Sequence, residues 1–412
     1  MSARFSNNAQ VLQRIDALVV PVLCAAVTLW RKVMDWLGGR AGGCEPRSIL
    51  FLKLAEQGST VLAHAAIKRA TERVGREQVY FLLFEENRFI LDTLDLVPRE
   101  NVFTIRTKSP LTMVASTLRR LWEIRRRGIA AVIDMEFFAR SSAVLSYLTG
   151  ARVRVGFHTY FGEGPYRGDL FTHRVMYNAH LHTARMFGCL VEALNHPAGQ
   201  FPTFGYVPPP PAELPRFAPT VAEREEARRI IDEVVGAGPR LILLNANASD
   251  LLPLRRWAPE NYVELTKRLL EQFPDVSVAF TGSRGEAARV GELVARIGGT
   301  RVACLAGRTT LRQLLVIYGL AEVLVTNDSG PAHFAALTAI DTVVLFGPET
   351  PLLFGALTPR HHNLWAHTAC SPCVNAWNNR QTACRDNVCM QLLSVNQVFE
   401  TVCQVYQKRT NP

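Results

Sequence analysis

The chain has 412 residues, of which 48% are hydrophobic and 20% charged. That balance excludes a disordered or fibrous protein, and no uncharged, continuously apolar run reaches the ~18 residues of a membrane-crossing helix. Lysine and arginine number 46 against 36 acids, a formal charge of +10. Such an excess points to an anionic partner: a nucleotide, a phosphorylated lipid or a membrane face. Nucleic acid is disfavoured, because the basic residues are scattered and aromatics do not interleave with them.

In chain order, the first feature is the uncharged stretch Ala17 to Trp30, between Asp16 and the pair Arg31-Lys32. It lacks the early basic cluster and small-x-small site of a cleavable signal. With Met34, Trp36 and Leu37 it predicts a helix, either lying on an anionic surface or packed on the protein's own body. Residues 1–43 are read as one N-terminal segment, closed by glycines at 38, 39, 42 and 43. Cys24, Cys44, Cys189, Cys304 and Cys403 stand alone in mostly apolar surroundings, and a total of nine cysteines fits a reducing cytoplasm.

From residue 44 the pattern alternates β and α. Strands are predicted at 48–54, 79–83, 102–105 and 130–134, with helices at 60–70 and 111–127. Continuous apolar strands between helices imply a parallel sheet covered on both faces. This first domain is assigned residues 44–200. A proline-rich stretch around Tyr206-Val207-Pro208-Pro209 marks a linker, assigned 201–238. A second series follows over 239–390, with strands at 241–245, 276–280, 302–305, 323–326 and 342–346. A last helix from Val395 ends the chain, within a segment assigned 391–412. The fold class is α/β with two doubly wound, Rossmann-like domains. In such folds ligands bind at the carboxyl ends of the strands, here expected to face a cleft.

No Gly-x-Gly-x-x-Gly follows a strand and no Walker A sequence is present, which disfavours nicotinamide and P-loop chemistry. The strongest local signal is Asn327-Asp328-Ser329-Gly330-Pro331-Ala332-His333, where a strand runs into a helix. Pro331 suits the first turn, Gly330 allows close approach, and free amides with a hydroxyl and an imidazole suit a diphosphate.

This segment, with Leu345-Phe346-Gly347-Pro348-Glu349-Thr350-Pro351, resembles the signature of glycosyltransferase family 9, the ADP-heptose:lipopolysaccharide heptosyltransferases. Arg255-Arg256-Trp257-Ala258-Pro259 is similar to the family's basic-x-Trp-Pro segment, and Gly282-Ser283-Arg284-Gly285-Glu286 to its Gly-x-x-x-Glu turn. Asp134 to Ser141 and Cys370-Ser371-Pro372-Cys373 resemble two further family stretches. The resemblance implies a GT-B fold with an N-terminal acceptor domain, a nucleotide-sugar domain and a final helix returning to the first domain. It also implies inverting transfer without a required metal or other cofactor. Arg255 aligns with the family's phosphate-contacting lysine. Together with Arg256, Glu286, Asp328, Ser329, Gly330 and His333 it forms the expected donor site. Lys53 and Arg140 are expected to bind substrate in the first domain.

One position departs from the family. The first loop normally reads Gly-Asp, and that aspartate is the proposed base. Here Gly58 is followed by Ser59, which has no useful basicity. Glu56 on the same loop and Glu136 beyond a neighbouring strand are the candidate catalytic carboxylates. Arg119, Arg120, Arg125, Arg126 and Arg127 on one helix suit either solvent or acidic lipid phosphates. Cys370, Cys373, Cys384 and Cys389 could hold a structural zinc, but the last spacing is loose and reduced thiols are the expectation.

The resulting expectation is a glycosyltransferase at the inner face of a Gram-negative inner membrane. It would use a nucleotide-sugar donor and a lipid-linked or lipopolysaccharide acceptor. A GT-B enzyme using another nucleotide sugar and a non-catalytic scaffold are the alternatives, the latter favoured by Ser59.

Overall fold

The computed structural model describes residues 15–38, 45–199, 205–210, 213–236, 238, 240–248, 252–378 and 380–410. Most of the glycine break, with Cys44 and Pro211, lies outside them. The chain forms two units, with the boundary before Glu213 and with residues 375–381 belonging to the first.

The N-terminal unit holds helix α1 (Val20–Gly38), then strand β1 (Ile49–Leu52), α2 (Gln57–Leu62), α3 (His64–Val74), β2 (Val79–Phe84) and α4 (Arg88–Leu94). There follow β3 (Val102–Ile105), α5 (Pro110–Arg127), β4 (Ala131–Asp134), α6 (Arg140–Leu148), β5 (Val153–His158), β6 (His173–Met176) and α7 (Thr183–Glu192). The six strands are parallel in the order β3-β2-β1-β4-β5-β6. Chain order runs outward from β1 to β3, then crosses back to β4, so the switch point lies between β1 and β4. Leu50, Leu52, Leu82 and Val132 face Ile124 of α5 and Leu145 of α6 in one core.

Helix α1 is fastened to α6 and the loop before β6. The Asp16 carboxylate, just ahead of it, accepts from the backbone N–H groups of Arg140 (3.1 Å) and Ser141 (2.8 Å). It therefore caps α6, whose own N-cap side chain makes no such bond. Thr28 accepts from the Asp169 N–H at 2.9 Å, and Arg31 pairs with Asp169 at 2.7 Å.

The C-terminal unit begins with α8 (Val221–Val235), inside the stretch expected to be linker. Thr220 and Glu223 form a reciprocal capping box at its start. Then come β7 (Arg240–Asn245), α9 (Pro259–Gln272), β8 (Val276–Phe280), α10 (Ala287–Ile297), β9 (Val302–Cys304) and α11 (Leu311–Leu320). The series ends with β10 (Val323–Asn327), α12 (Gly330–Ala335), β11 (Asp341–Phe346), α13 (Pro351–Phe354), β12 (His361–Trp365), α14 (Val388–Gln391) and α15 (Val395–Thr410). This sheet is also parallel, in the order β12-β11-β10-β7-β8-β9, with its switch point between β7 and β10. The last helix, expected to return to the first domain, belongs to this unit. Val395, Val398, Val402, Val405 and Tyr406 are buried with Leu265, Leu269 and Phe273, so its apolar stripe is spent here.

Gly168 has φ +70°, and a Cβ on it would lie 2.6 Å from Thr28 Oγ1 and 3.0 Å from the Cys24 carbonyl. Gly168→Ala combines left-handed strain with a clash against α1. It should lower unfolding free energy by roughly 1–3 kcal/mol, read by denaturant titration.

Candidate functional site

In the C-terminal unit the carboxyl ends of β7, β8, β10 and β11 carry a dense set of buried polar groups. Asn327, at the end of β10, accepts at its Oδ1 from the Trp257 N–H (3.1 Å) and the Tyr262 hydroxyl (3.2 Å). Its Nδ2 donates to the Asn247 carbonyl at 3.2 Å. This one side chain ties the ends of β10 and β7 to the start of α9 and thereby fixes the turn that carries Arg255.

Arg255 ends a 3-10 turn, Pro253–Arg255. Its Nη1 lies 3.3 Å from Glu349 Oε2 and 3.8 Å from Asp328 Oδ2. Its Nε is buried with no hydrogen-bond partner among the described residues, which leaves a donor available to an anion. Burial pushes both acids upward against the pull of Arg255, Glu349 to about 8. Burial thus favours the protonated form of both acids, and the Arg255 guanidinium opposes it. The fold thus brings Asp328 to Arg255. Glu349 was quoted in the family signature but given no role. Its signal is an acid inside an apolar Phe-Gly-Pro-Glu-Thr-Pro run.

The other expected donor residues divide. Arg256 holds the Ala248 carbonyl at 2.9 Å, a loop contact. Ser329 donates to the Asn327 carbonyl at 3.1 Å rather than capping α12. Gly330 begins that helix, and His333 is buried one turn in. Glu286 accepts from Ser283 N–H and Oγ, both at 2.7 Å, so it closes a capping box. It nevertheless sits by the strand ends. A Cβ on Gly282 would lie 2.9 Å from Asn247 Nδ2 and 3.4 Å from Glu286 Oε2. Arg289 adds a bond to Asn247 Oδ1 at 2.7 Å and pairs with Glu286 at 3.8 Å.

The N-terminal unit has its own charged cluster beyond β1. Lys53 has no exposed surface and meets Glu136 Oε2 at 3.1 Å and Glu56 Oε2 at 3.4 Å. Burial lowers its pKa, while Glu136 acts to raise it. Glu136 Oε1 accepts from the N–H groups of Leu54 (2.7 Å) and Ala55 (3.1 Å). Its carboxylate is therefore occupied in holding the loop. Glu56 has φ 67°, a left-handed conformation uncommon outside glycine. Its carboxylate accepts from Ser59 Oγ at 3.1 Å and pairs with Arg380. Arg380, which sequence reasoning missed, comes from the segment 375–381, and burial lowers its pKa to about 10. Nothing local in the sequence marks it; only the fold brings it across more than 300 positions.

Asp134 is buried against Arg167 and Ser142 Oγ, the latter at 2.8 Å, and burial raises it to about 6 against the pull of Arg167. Arg140, expected to bind substrate, is instead paired with Asp16 at 3.5 Å. Cys370, Cys373, Cys384 and Cys389 are thiols outside any disulfide, and Thr382 Oγ1 donates to Cys373 Sγ at 3.6 Å. Among the described residues no three or more His, Cys, Asp or Glu side chains are grouped so as to hold a metal ion.

The unfolded Glu349 carboxyl titrates near 4.5 and the folded one near 8. Between those values the folded chain binds more protons, so its stability falls as pH rises. Glu349→Gln keeps the shape and removes the titration. By scanning calorimetry its melting temperature should decline less than wild type between about pH 5 and 8; an equal decline would place the titration elsewhere.

The chain is similar to known proteins in both sequence and fold. Residues 118–383 match the sequence model of glycosyltransferase family 9 (heptosyltransferase). Lipopolysaccharide heptosyltransferase 2 of Salmonella typhimurium is 34% identical over 102 residues, 24% of this chain and 29% of that protein. The match therefore spans less than a third of that relative's length. Lipopolysaccharide core heptosyltransferase OpsX of Haemophilus influenzae is 22% identical over 317 residues, 74% of this chain and 81% of that protein. The structure of E. coli ADP-heptose lps heptosyltransferase II superposes with a TM-score of 0.67 at 17% identity, covering 88% of this chain and 99% of that one. A family 9 glycosyl transferase structure from Veillonella parvula gives 0.67 at 16% identity over 88% of this chain and 97% of its own. The fold is thus that of the GT-B heptosyltransferases, and the chain belongs to glycosyltransferase family 9.

Proposed function

We propose that the protein is an inverting glycosyltransferase. It moves a heptose from an ADP-sugar to a lipopolysaccharide core or related lipid-linked glycan, acting in the cytoplasm at the inner face of the inner membrane. The observation that carries this reading is Arg255. It is a partly exposed guanidinium whose Nε has no hydrogen-bond partner among the described residues, held between Asp328 and Glu349 at the switch point of a doubly wound sheet. A nucleoside diphosphate supplies the negative oxygens such a donor lacks. In this reading Asn247, Gly282 and Glu286 flank the ribose. The short helix at Gly330 and His333 offers neutral donors to the departing diphosphate.

An inverting transfer also needs a base to take the acceptor hydroxyl proton. We assign that role to Glu56. Its carboxylate contacts Ser59 Oγ, the position that carries the aspartate in the family pattern. Lys53 and Arg380 are its cationic partners. Glu136, whose oxygens already accept two backbone N–H groups and Lys53, positions the loop rather than taking a proton. Proton transfer then runs from the acceptor hydroxyl to Glu56 as the sugar carbon leaves the diphosphate. A second reading, a scaffold that binds the donor without turnover, rests on the engagement of the Glu56 carboxylate by Lys53 and Arg380.

Calorimetric titration with ADP and ADP-heptose tests the donor site. Arg255→Ala should cost about 1.5–3 kcal/mol of ADP affinity, while Arg255→Lys retains most of it; unchanged affinity in the alanine variant would remove the assignment.

Turnover with an isolated lipopolysaccharide acceptor tests the base. Glu56→Gln should lower kcat by about 10²–10⁴-fold with ADP affinity near wild type. A loss below tenfold would assign the proton to another group. Absence of transfer by the wild type from every donor it binds would favour the scaffold.

A further inference from the structure

Helix α1 is fastened to the N-terminal unit on one side, where Val20 and Cys24 are buried against Ala143, Val144, Leu170 and Phe171, and where Thr28, Arg31 and, just ahead of the helix, Asp16 engage Asp169 or α6. Most of the side chains left exposed on this segment are apolar as well. Leu18, Val22, Leu29 and Trp36 are 77%, 72%, 65% and 84% exposed, and no charged residue interrupts positions 17–30. These exposed apolar side chains recur along the length of the segment, an arrangement that marks an interaction surface when it is extensive.

A second element of the same layer repeats the pattern. Helix α5 buries Leu121 and Ile124 and exposes Leu111, Val114, Leu118 and Trp122, which recur at helical spacing along one face. Arg126 lies over the Trp122 ring at 4.6 Å, and Arg119 is largely exposed beside it. Helices α5 and α6 share a core on one face of the sheet, and α1 packs on Ala143 and Val144 of α6. The Arg125 Nε donates to the Leu148 carbonyl at 2.8 Å, joining α5 to α6.

We propose that the α5–α6–α1 layer is a docking face for an anionic lipid bilayer, a deepening that rests on the lipid-linked acceptor proposed above. The exposed side chains of α1 enter the acyl boundary. Trp30, Trp36 and Trp122 sit at the headgroup level, and Lys32, Arg119 and Arg126 meet lipid phosphates. No described helix is long and apolar enough to cross a membrane, so α1 lies in the interface. A second copy of the chain fits this face less well, because a self-complementary contact would bring its cations together.

The experiment is sedimentation of the full-length protein with phosphatidylcholine vesicles, with and without phosphatidylglycerol. Three variants are compared: Val22→Glu/Leu29→Glu, Leu118→Glu, and Arg119→Gln/Arg126→Gln. All the altered side chains are on the surface, and ADP titration checks that each variant is folded. Wild type should partition onto the anionic vesicles. The α1 pair and the arginine pair should each lower that partition about tenfold or more, and Leu118→Glu should lower it measurably. Wild-type partition by all three variants would overturn the proposal. So would a lipid-free dimer, seen by ultracentrifugation, that the α1 pair dissociates. Vesicle binding by a wild type that binds no ADP would leave this face standing and remove the sugar-transfer reading.

Discussion

A lysine with no exposed surface at the carboxyl end of β1 sets the terms for the N-terminal unit. An isolated ammonium cannot stay charged in such a place at tolerable cost, so Lys53 must bring carboxylates with it. It takes Glu136 from beyond β4 and Glu56 from its own loop. Because Glu136 also accepts the N–H groups of Leu54 and Ala55, the loop leaving β1 is fixed to the neighbouring strand end. That anchoring holds Glu56 in its left-handed conformation and aims its carboxylate at Ser59 and Arg380. Strain of this kind persists only where the surroundings over-determine it.

The C-terminal unit answers a similar demand with the opposite balance. There one partly exposed cation, Arg255, faces two buried acids, and burial pushes both acids towards their protonated forms. The guanidinium keeps one N–H without a partner among the described residues. The Asn327 network keeps the turn bearing Arg255 in place without adding charge. Gly282 contributes by absence: any side chain there would fill the space between Asn247 and Glu286.

Helix α1 connects these interiors to the surface. Asp16 caps α6, Arg31 and Thr28 grip the loop at Asp169, and Val20 and Cys24 are buried against α6, so the helix is held on one side while further apolar side chains stay exposed on the other. A helix apolar on more than one side has more apolar surface than a single packed face can bury.

The sequence by itself determined the two β/α series, because fully buried parallel strands must be continuously apolar and stand out at 49–52, 79–84, 241–245 and 323–327. It also supplied the donor-side motifs and singled out Glu56, Glu136 and Asp328, since buried or loop acids at strand ends are visible in the pattern. It did not mark β5, β6 or β12. Strand β5 carries Arg154 and His158 within it, and the edge strands β6 and β12 carry His173, Arg174, His361 and His362, so apolar continuity fails where one side meets solvent. It placed α8 in a linker because the prolines before it dominate the local composition. It sent the last helix to the wrong unit and gave Arg140 a substrate role, because which surface an apolar stripe or a guanidinium reaches is decided by packing between distant segments. Arg380 is the clearest case. Its partner is 324 positions away, and no spacing rule reaches that far: the tertiary structure alone decided which cation would meet Glu56.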